Sequence, residues 1–273
     1  MSRSVTDILL DISARASKVV LEVYGTAFDV EYKGPSDPVT IADKRANELI
    51  CTELAREFPG VPIVAEESPP ATFADFRSSE RVFFVDPVDG TREFVARNGE
   101  FVVMIGLLDG DRPVAGVIQA PVQGVTWVGV VGEGAYAQDA SGVRTPIRVS
   151  SEPTLAAARI VSSRSHRDSE LERVLSALGA AQIIIRGSAG LKGAEVARGA
   201  AEAYVAPGYA GQRWDACASE ALVVAAGGRV TDTRGRLLDY RALSLTNDCG
   251  VVASNGAVHD AVLEQLARLP PEG

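Results

Sequence analysis

Segment 82–94, VFFVDPVDGTREF, holds the residue types best suited to chemistry. Its apolar run ends at Asp86, and Pro87 cannot continue a sheet ladder. Asp89-Gly90 is a turn signal. The spacing therefore predicts that Asp86 and Asp89 leave a strand end close together, around a tight bend. Two carboxylates held that near repel each other unless a proton or cation lies between them. Ligands that are all oxygen favour hard ions such as magnesium. Gly90 and Thr91 open what reads as a helical turn, whose free N–H groups would seat a phosphate. For an isolated D-P-x-D-G, an ordinary loop in which Asp89 caps the turn is the plainer account.

Further acids change that balance. Glu66-Glu67 follows the apolar run VPIVA, so a third carboxylate can reach the same sheet edge, although a solvated surface pair would also explain it. Asp215 follows Trp214 where an apolar helix opens, a position that also suits a simple helix cap. The segment DPVTIAD (37–43) contains T-x-x-D, a capping box. Asp43 can serve that cap alone, or orient a water through the Thr91 hydroxyl.

The elements that must position these acids are legible in outline. Val5, Ile8, Leu9, Ile12, Ala16, Val19, Val20 and Val23 recur at helical spacing, and Gly25 stops that helix. KGPSDPV (33–39) reads as a loop, followed by an amphipathic helix from about Ile41 to Phe58. VPIVAEE and RVFFVDP read as short buried strands. EFVVMIGLL, PVAGVIQA and VTWVGVVG follow as an antiparallel meander. After the polar stretch SSEPT, strands RIVSS, AQIIIRG, AEAYVA and CGVVASN alternate with helices SELERVLSALG, GLKGAEVARG, WDACASEALVVAAGG and HDAVLEQLARL. Such alternation signals an α/β layer. The expected division is an N-terminal α+β unit, 1–155, and a C-terminal α/β unit, 156–273.

Composition narrows the function classes. The 273 residues are 46% hydrophobic and 23% charged, ordinary globular values that exclude disordered and collagen-like chains. No apolar stretch is long enough to span a bilayer, and the N-terminus lacks the apolar run of a signal peptide. A cytoplasmic protein is expected. Cys51, Cys217 and Cys249 form no C-x-x-C pair, which argues against zinc and for reduced thiols. A net charge of −9 does not attract nucleic acid polymers. It would also repel a small phosphorylated substrate unless metal ions invert the charge locally.

Together DPVTIAD, VAEES, DPVDGTREF and WDACASEALVVAAGG resemble the four signature blocks of the inositol-monophosphatase superfamily, in the family's order and over nearly the whole chain. The resemblance implies a layered αβαβα sandwich of the sugar-phosphatase type. It implies two to three Mg2+ ions: Glu66, Asp86 and the Val88 carbonyl at the first, Asp86, Asp89 and Asp215 at the second, and Glu66 again at a weaker third. It gives Asp43 and Thr91 the nucleophilic water and the Gly90 and Thr91 amides the phosphate. Divalent ions activate water and neutralise a departing oxygen, so no covalent phosphoenzyme is needed. Lithium inhibition would follow from competition for a magnesium position.

Within that superfamily, Glu93, NGEFVVMIGL, SSRSH (162–166) and GSAGLK (187–192) resemble the bisphosphate-nucleotidase branch. This implies nucleotide contacts at Ser163 and His166, with Ser188 and Lys192 facing the ribose or a second phosphate. Residues 205–213, VAPGYAGQR, carry no acid, whereas inositol recognition uses one a few positions before the W-D pair; Gly208 stands seven before Asp215. The implied reaction removes the 3'-phosphate of adenosine 3',5'-bisphosphate to give AMP, in sulfur metabolism, by a monomer or homodimer. Inositol 1-phosphate or a broader sugar-phosphate range is the nearest alternative. From other classes, a Ser–His–acid hydrolase has only His166 and His259 to draw on, outside any nucleophile elbow. GSAGLKG lacks dinucleotide-binding spacing. A regulator that kept the fold but lost turnover is opposed by the complete acid set and Thr91.

Overall fold

In a computed structural model, residues 3–34, 37–73 and 75–269 are described. Helix α1 (Val5–Tyr24) starts where the Ser4 hydroxyl accepts the Asp7 amide at 3.1 Å, satisfying one of the helix's orphan donors. Leu9, Ile12, Ala16, Val20 and Val23 recur every three or four residues, so they form one buried stripe. Strands β1 (Val30–Gly34) and β2 (Asp37–Thr40) then pair antiparallel. The loop expected over 33–39 is thus mostly hairpin, with Pro35 and Ser36 outside the described residues. Turn-forming composition marks a chain reversal without saying how soon pairing resumes. Thr40 caps helix α2 (Ile41–Glu57), which packs beside α1.

The first sheet runs β3 (Ile63–Ala65), β4 (Arg81–Asp89), β5 (Val102–Asp109), β6 (Arg112–Ala120), β7 (Val125–Val130), β8 (Gly134–Asp139) and β9 (Arg144–Ile147), in that spatial order. β3 is parallel to β4 and every later pair is antiparallel. The expected meander is there and continues through β8 and β9. Those two carry mostly part-exposed or exposed residues, so no apolar run announced them. A five-residue helix, α3 (Thr91–Val95), links β4 to β5.

The second sheet consists of β10 (Arg159–Ser163), β11 (Gln182–Arg186), β12 (Ala203–Ala206), β13 (Arg229–Thr231) and β14 (Val251–Ser254), ordered β11-β10-β12-β14-β13. β10 is parallel to β11 and β12, whereas β14 is antiparallel to both its neighbours. Helices α4 (Ser169–Leu178) and α7 (His259–Arg268) cover its outer face around Ile160, Val205 and Val252. Helices α5 (Ala189–Ala197) and α6 (Arg213–Ala225) lie between the sheets. The layers are α1α2, sheet, α5α6, sheet, α4α7, the αβαβα sandwich that the sequence implied.

α6 is seated by what the first sheet lacks. Gly106, Gly116 and Gly129 pair directly across β5, β6 and β7, leaving a trough without side chains. A Cβ at Gly106 would stand 2.6 Å from Cys217 Sγ, one at Gly129 2.5 Å from Leu222 Cα, and one at Gly116 would meet the Ala218 carbonyl. The helix backbone therefore rests on the sheet, and Asp215 enters at its first turn. Cys51, Cys217 and Cys249 are all free. Among the described residues, no helix is long and apolar enough to cross a membrane.

Candidate active site

A one-residue bulge builds the centre. Asp86 pairs with Met104 and Asp89 with Val102, so three steps along β4 match two along β5. Residues three apart on a regular strand face opposite ways. The extra residue puts Asp86 and Asp89 on one face, the side where Val102 and Met104 pack toward α5 and α6. Pro87 sits within the bulge, where its missing N–H costs the ladder nothing. Asp86 is 2% exposed and accepts the Val88 amide at 3.0 Å.

Three further acids approach. Asp215, in the first turn of α6, accepts the Gln212 amide at 2.7 Å and is hydrogen-bonded to Asp86. Glu66 follows β3, fixed by its amide to the Val85 carbonyl at 3.1 Å. Its carboxylate accepts Lys33 Nζ at 2.7 Å, and the same ammonium reaches Glu67 at 2.6 Å. Asp89 lies against the start of α5, taking the Ser188 hydroxyl at 2.5 Å and the Ala189 and Gly190 amides at 3.1 and 2.6 Å.

Crowding raises proton affinity. Burial first, then Glu66, Asp89 and Asp215, push Asp86 well above the carboxylate range. Burial, with Asp89 adding to it, lifts Asp215 to about 7. Burial lifts Glu66 to about 8, Lys33 opposing and Asp215 and Glu67 adding. Lys33 is raised in turn, because Glu66 and Glu67 outweigh its desolvation. An ammonium raised by its partner needs that partner ionised, while Glu66 itself is raised. The proton bridge within this group joins Asp86 and Asp215, while Lys33 compensates the charge at the Glu66 and Glu67 edge.

Among the described residues, no three His, Cys, Asp or Glu side chains already converge as a ligand group. The cause is visible: Glu66 is turned to Lys33 and Asp89 to α5. Asp86, Asp89 and Asp215 nonetheless have no ion-pair partner within 4.0 Å among the described residues. Buried carboxylates need a proton or a cation. A donor set made only of oxygens suits a hard divalent ion, so these residues fit magnesium.

Beside them, Asp43 does both things the sequence offered. Its Oδ2 accepts the Thr40 amide and hydroxyl at 2.8 and 2.6 Å, closing the cap of α2. Its Oδ1 accepts the Thr91 hydroxyl at 3.0 Å. Burial raises the Asp43 carboxyl. Gly90 precedes α3 with φ of 99° and supplies no side-chain cap. A Cβ there would stand 2.9 Å from the Glu100 carbonyl, so the turn requires glycine. The first N–H groups of a helix have no partner within it.

The expected nucleotide contacts separate into two groups. Ser163 ends β10 and its hydroxyl accepts the His166 amide at 3.1 Å, so both belong to one accessible turn. Ser188 is buried on Asp89, and Lys192 is 4% exposed, donating to the Ser188 carbonyl at 2.8 Å over the Tyr204 ring. Ser188 and Lys192, expected to face the ribose or a second phosphate, thus both lie buried on the Asp89 side of α5. Helical periodicity places both side chains on the inner face of α5, where they support Asp89.

Sequence reasoning passed over several residues. Lys33 lay within the segment read as loop. Glu93 was noted as a branch marker, but its role is visible only in space: it is buried, accepts the Ser165 hydroxyl, and fills the place of a side chain at Gly187. Glu100 takes Arg164 through both oxygens at 2.8 and 2.9 Å and the Gly187 amide at 2.7 Å. Arg92 donates to the Ser165 carbonyl at 2.8 Å. These contacts join the α3 turn to the loops after β10 and β11. Charge alternation in T-R-E and S-R-S-H was the only available signal.

Comparison with known proteins gives a consistent setting. A family model described as the inositol monophosphatase family matches residues 1–270. The 3'(2'),5'-bisphosphate nucleotidase CysQ of Salmonella typhimurium is 40% identical over 232 residues, 84% of this chain and 91% of that protein. Among solved structures, the extragenic suppressor protein SuhB of Bartonella henselae superposes with a TM-score of 0.84 at 27% identity, covering 97% of this chain and 99% of that one. CysQ of Bacteroides thetaiotaomicron, a bacterial member of the same family, gives 0.77 at 27% identity, covering 92% and 97%.

Proposed function

The chain belongs to the inositol monophosphatase family, and from that membership and its site we propose that it is a 3'(2'),5'-bisphosphate nucleotidase. It removes the 3'-phosphate of adenosine 3',5'-bisphosphate, leaving AMP and inorganic phosphate. The observation that carries a phosphatase is buried Asp86, hydrogen-bonded to Asp215 and near enough to Glu66 and Asp89 for their charge to raise its proton affinity, beside the Asp43–Thr91 pair. The branch is supported by 40% identity to a curated bisphosphate nucleotidase over 84% of the chain.

Two to three magnesium ions fit the acids: Glu66, Asp86 and the Val88 carbonyl would hold one, Asp86, Asp89 and Asp215 another, and Glu66 a weaker third. When bound, such ions activate water and neutralise charge on the departing oxygen. The chain's own residues supply the rest. Thr91 Oγ1 stands 3.0 Å from Asp43 Oδ1 and 3.1 Å from the Val88 carbonyl; with its proton on Asp43, a lone pair is left to accept a hydrogen bond from the attacking water. The raised proton affinity of Asp43 draws that proton through the threonine. The Gly90 and Thr91 amides hold the phosphoryl oxygens. The phosphorus–ester bond breaks opposite the incoming water, the departing ribose oxygen takes a proton from a second water, and the proton received by Asp43 returns to solvent.

Inositol is the less suited substrate. An acid at position 208 would need φ of 63°, and its Cβ would stand 2.8 Å from the Glu170 carboxylate. Strain and like charge both oppose it. We place the enzyme in the cytoplasm, in sulfur metabolism, as a monomer or homodimer, acting on no nucleic acid polymer. Phosphate release from adenosine 3',5'-bisphosphate, inositol 1-phosphate and fructose 1,6-bisphosphate, each with magnesium, tests the assignment. Higher kcat/KM on inositol 1-phosphate than on the nucleotide rejects it.

A further inference from the structure

Asp215 stands where α6 begins, and what holds it there comes from a loop much later in the chain. Its Oδ2 accepts the Gln212 amide at 2.7 Å. The other end of that peptide unit, the Gly211 carbonyl, accepts the Asn247 amide at 2.8 Å. In a trans peptide the C=O and N–H point opposite ways, so one rigid plate is gripped between Asn247 and Asp215. Gly211 has φ of 74°, and a Cβ there would overlap Asp215 Oδ2. The carboxylate therefore lies directly on this turn, and a shift of the turn moves it.

The Asn247 side chain grips the same turn. It is 1% exposed and lies 35 residues beyond Gln212. Nδ2 donates to the Gln212 carbonyl at 2.6 Å and to the Ala210 carbonyl at 3.2 Å, while Oδ1 accepts from Arg213 Nη1. A carboxamide offers two N–H donors and one acceptor oxygen, and here both kinds are spent on residues 210–213. Main-chain bonds such as Arg213 N to the Leu245 carbonyl, 2.8 Å, zip the two loops whatever the side chain. The carboxamide adds the exact placement of the turn, and chained hydrogen bonds polarise one another, so the donor that Asp215 receives is strengthened too. We propose that Asn247 is the positioning residue for Asp215, setting where its carboxylate meets a divalent ion without touching ion or substrate. This rests on the metal-dependent phosphatase reading above and adds a residue that governs metal affinity from outside the ligand set.

Calorimetric titration of chelator-treated protein with magnesium gives the test a readout apart from turnover. In Asn247→Ala and Asn247→Asp the apparent Kd should rise about tenfold, the lower end of what lost outer partners of metal ligands cost. The magnesium concentration for half-maximal phosphate release should rise in parallel. KM for adenosine 3',5'-bisphosphate at saturating magnesium should stay within about threefold, since Asn247 contributes no substrate binding. The aspartate variant separates placement from charge. It keeps an acceptor for Arg213 but turns an oxygen on the two carbonyls, and its added negative charge would by itself draw a cation more tightly. Weaker binding in that variant therefore reports placement. His259→Gln, destabilised between the Ser254 and Thr231 hydroxyls and away from the acids, should bind magnesium as wild type does. If both Asn247 variants keep the wild-type Kd, or if His259→Gln loses as much as they do, Asn247 only braces the loop and the proposal fails. Should Asn247→Ala not fold, the aspartate variant decides. Wild-type protein that takes up no magnesium rejects the metal-dependent reading itself, a different result from equal binding by wild type and variants.

Discussion

Thr91 and Asp43, 48 residues apart, are joined by one hydrogen bond of 3.0 Å from hydroxyl to carboxylate. The same carboxylate's other oxygen closes the cap of α2 through Thr40. One side chain therefore fixes where a helix begins and which way a catalytic hydroxyl points. The two uses have different readouts. Thr91→Val keeps the shape but removes the proton path, so kcat should fall on the order of 10²-fold, with KM and melting temperature near wild type. Asp43→Ala should lose comparable activity and also about 1 kcal/mol of stability, the usual cost of a lost cap. Steady-state kinetics and thermal melts of both variants check this. A Thr91→Val enzyme within twofold of wild-type kcat rules out the threonine relay.

Magnesium should stabilise the protein as well as activate it. Asp86, Asp215 and Glu66 are raised by burial and by one another's charge, and a divalent ion would relieve that repulsion. Binding at a hundred times Kd adds about 2.7 kcal/mol by mass action, visible as a rise in Tm. Chelation should reverse the rise and abolish turnover, and added magnesium should restore both. Asp89→Asn should fold, since Ser188 Oγ and Gly190 N, which share Oδ2, can still donate to an amide oxygen in that place, and only the Ala189 amide on Oδ1 loses its acceptor. It should lose most activity and much of the magnesium-dependent Tm shift. Full activity in that variant contradicts a shared role for Asp89.

The acids could be found in the sequence because each follows a break in an apolar pattern. Asp86 ends VFFV, Glu66 follows VPIVA, and Asp215 opens an apolar helix. What brings them together was less legible. The bulge that turns Asp86 and Asp89 to one face appears only once their partners Met104 and Val102 are known. Lys33 was hidden because turn composition masked a hairpin. Lys192 was expected to face the ribose or a second phosphate, and its burial, shared by every α5 residue from Gly190 to Ala197, was not legible. A helix between two sheets has no solvent face, and a single sequence does not show which helix that is.

The glycine row beneath α6 was equally silent, since its meaning lies in pairing across three strands. It predicts a graded effect on activity. Gly106→Ala and Gly129→Ala should each destabilise by about 1–3 kcal/mol, the usual cost of overpacking. Gly106 faces Cys217, two residues past Asp215, whereas Gly129 faces Leu222, seven residues past Asp215. Displacing a catalytic group by about 1 Å can cost 10²-fold. Gly106→Ala should therefore lose much more kcat/KM than Gly129→Ala at matched stability. Equal activity losses would show that α6 moves as a rigid rod and transmits the shift along its length.

His259 gives the fold a measurable acid limit, remote from the acids of the site. It is fully buried, with Nδ1 at 2.8 Å from Ser254 Oγ and Nε2 at 3.0 Å from Thr231 Oγ1. Burial, then the charge of Arg229, holds its pKa down to about 4. An unfolded chain binds that proton near pH 6.5. Between roughly pH 6.5 and 4 the unfolded state therefore carries more protons, and stability falls as pH falls. The loss levels off below about pH 4, at on the order of 3 kcal/mol. His259→Gln lacks the titrating group, so it should be less stable than wild type at pH 7.5 yet lose less on acidification. Urea denaturation of both proteins at pH 7.5, 5.5 and 4.5 compares the slopes directly. Raised acids such as Asp86 act in both proteins alike and cancel in that difference. Parallel slopes would mean that His259 takes up its proton without unfolding, and that neither Ser254 nor Thr231 holds it neutral.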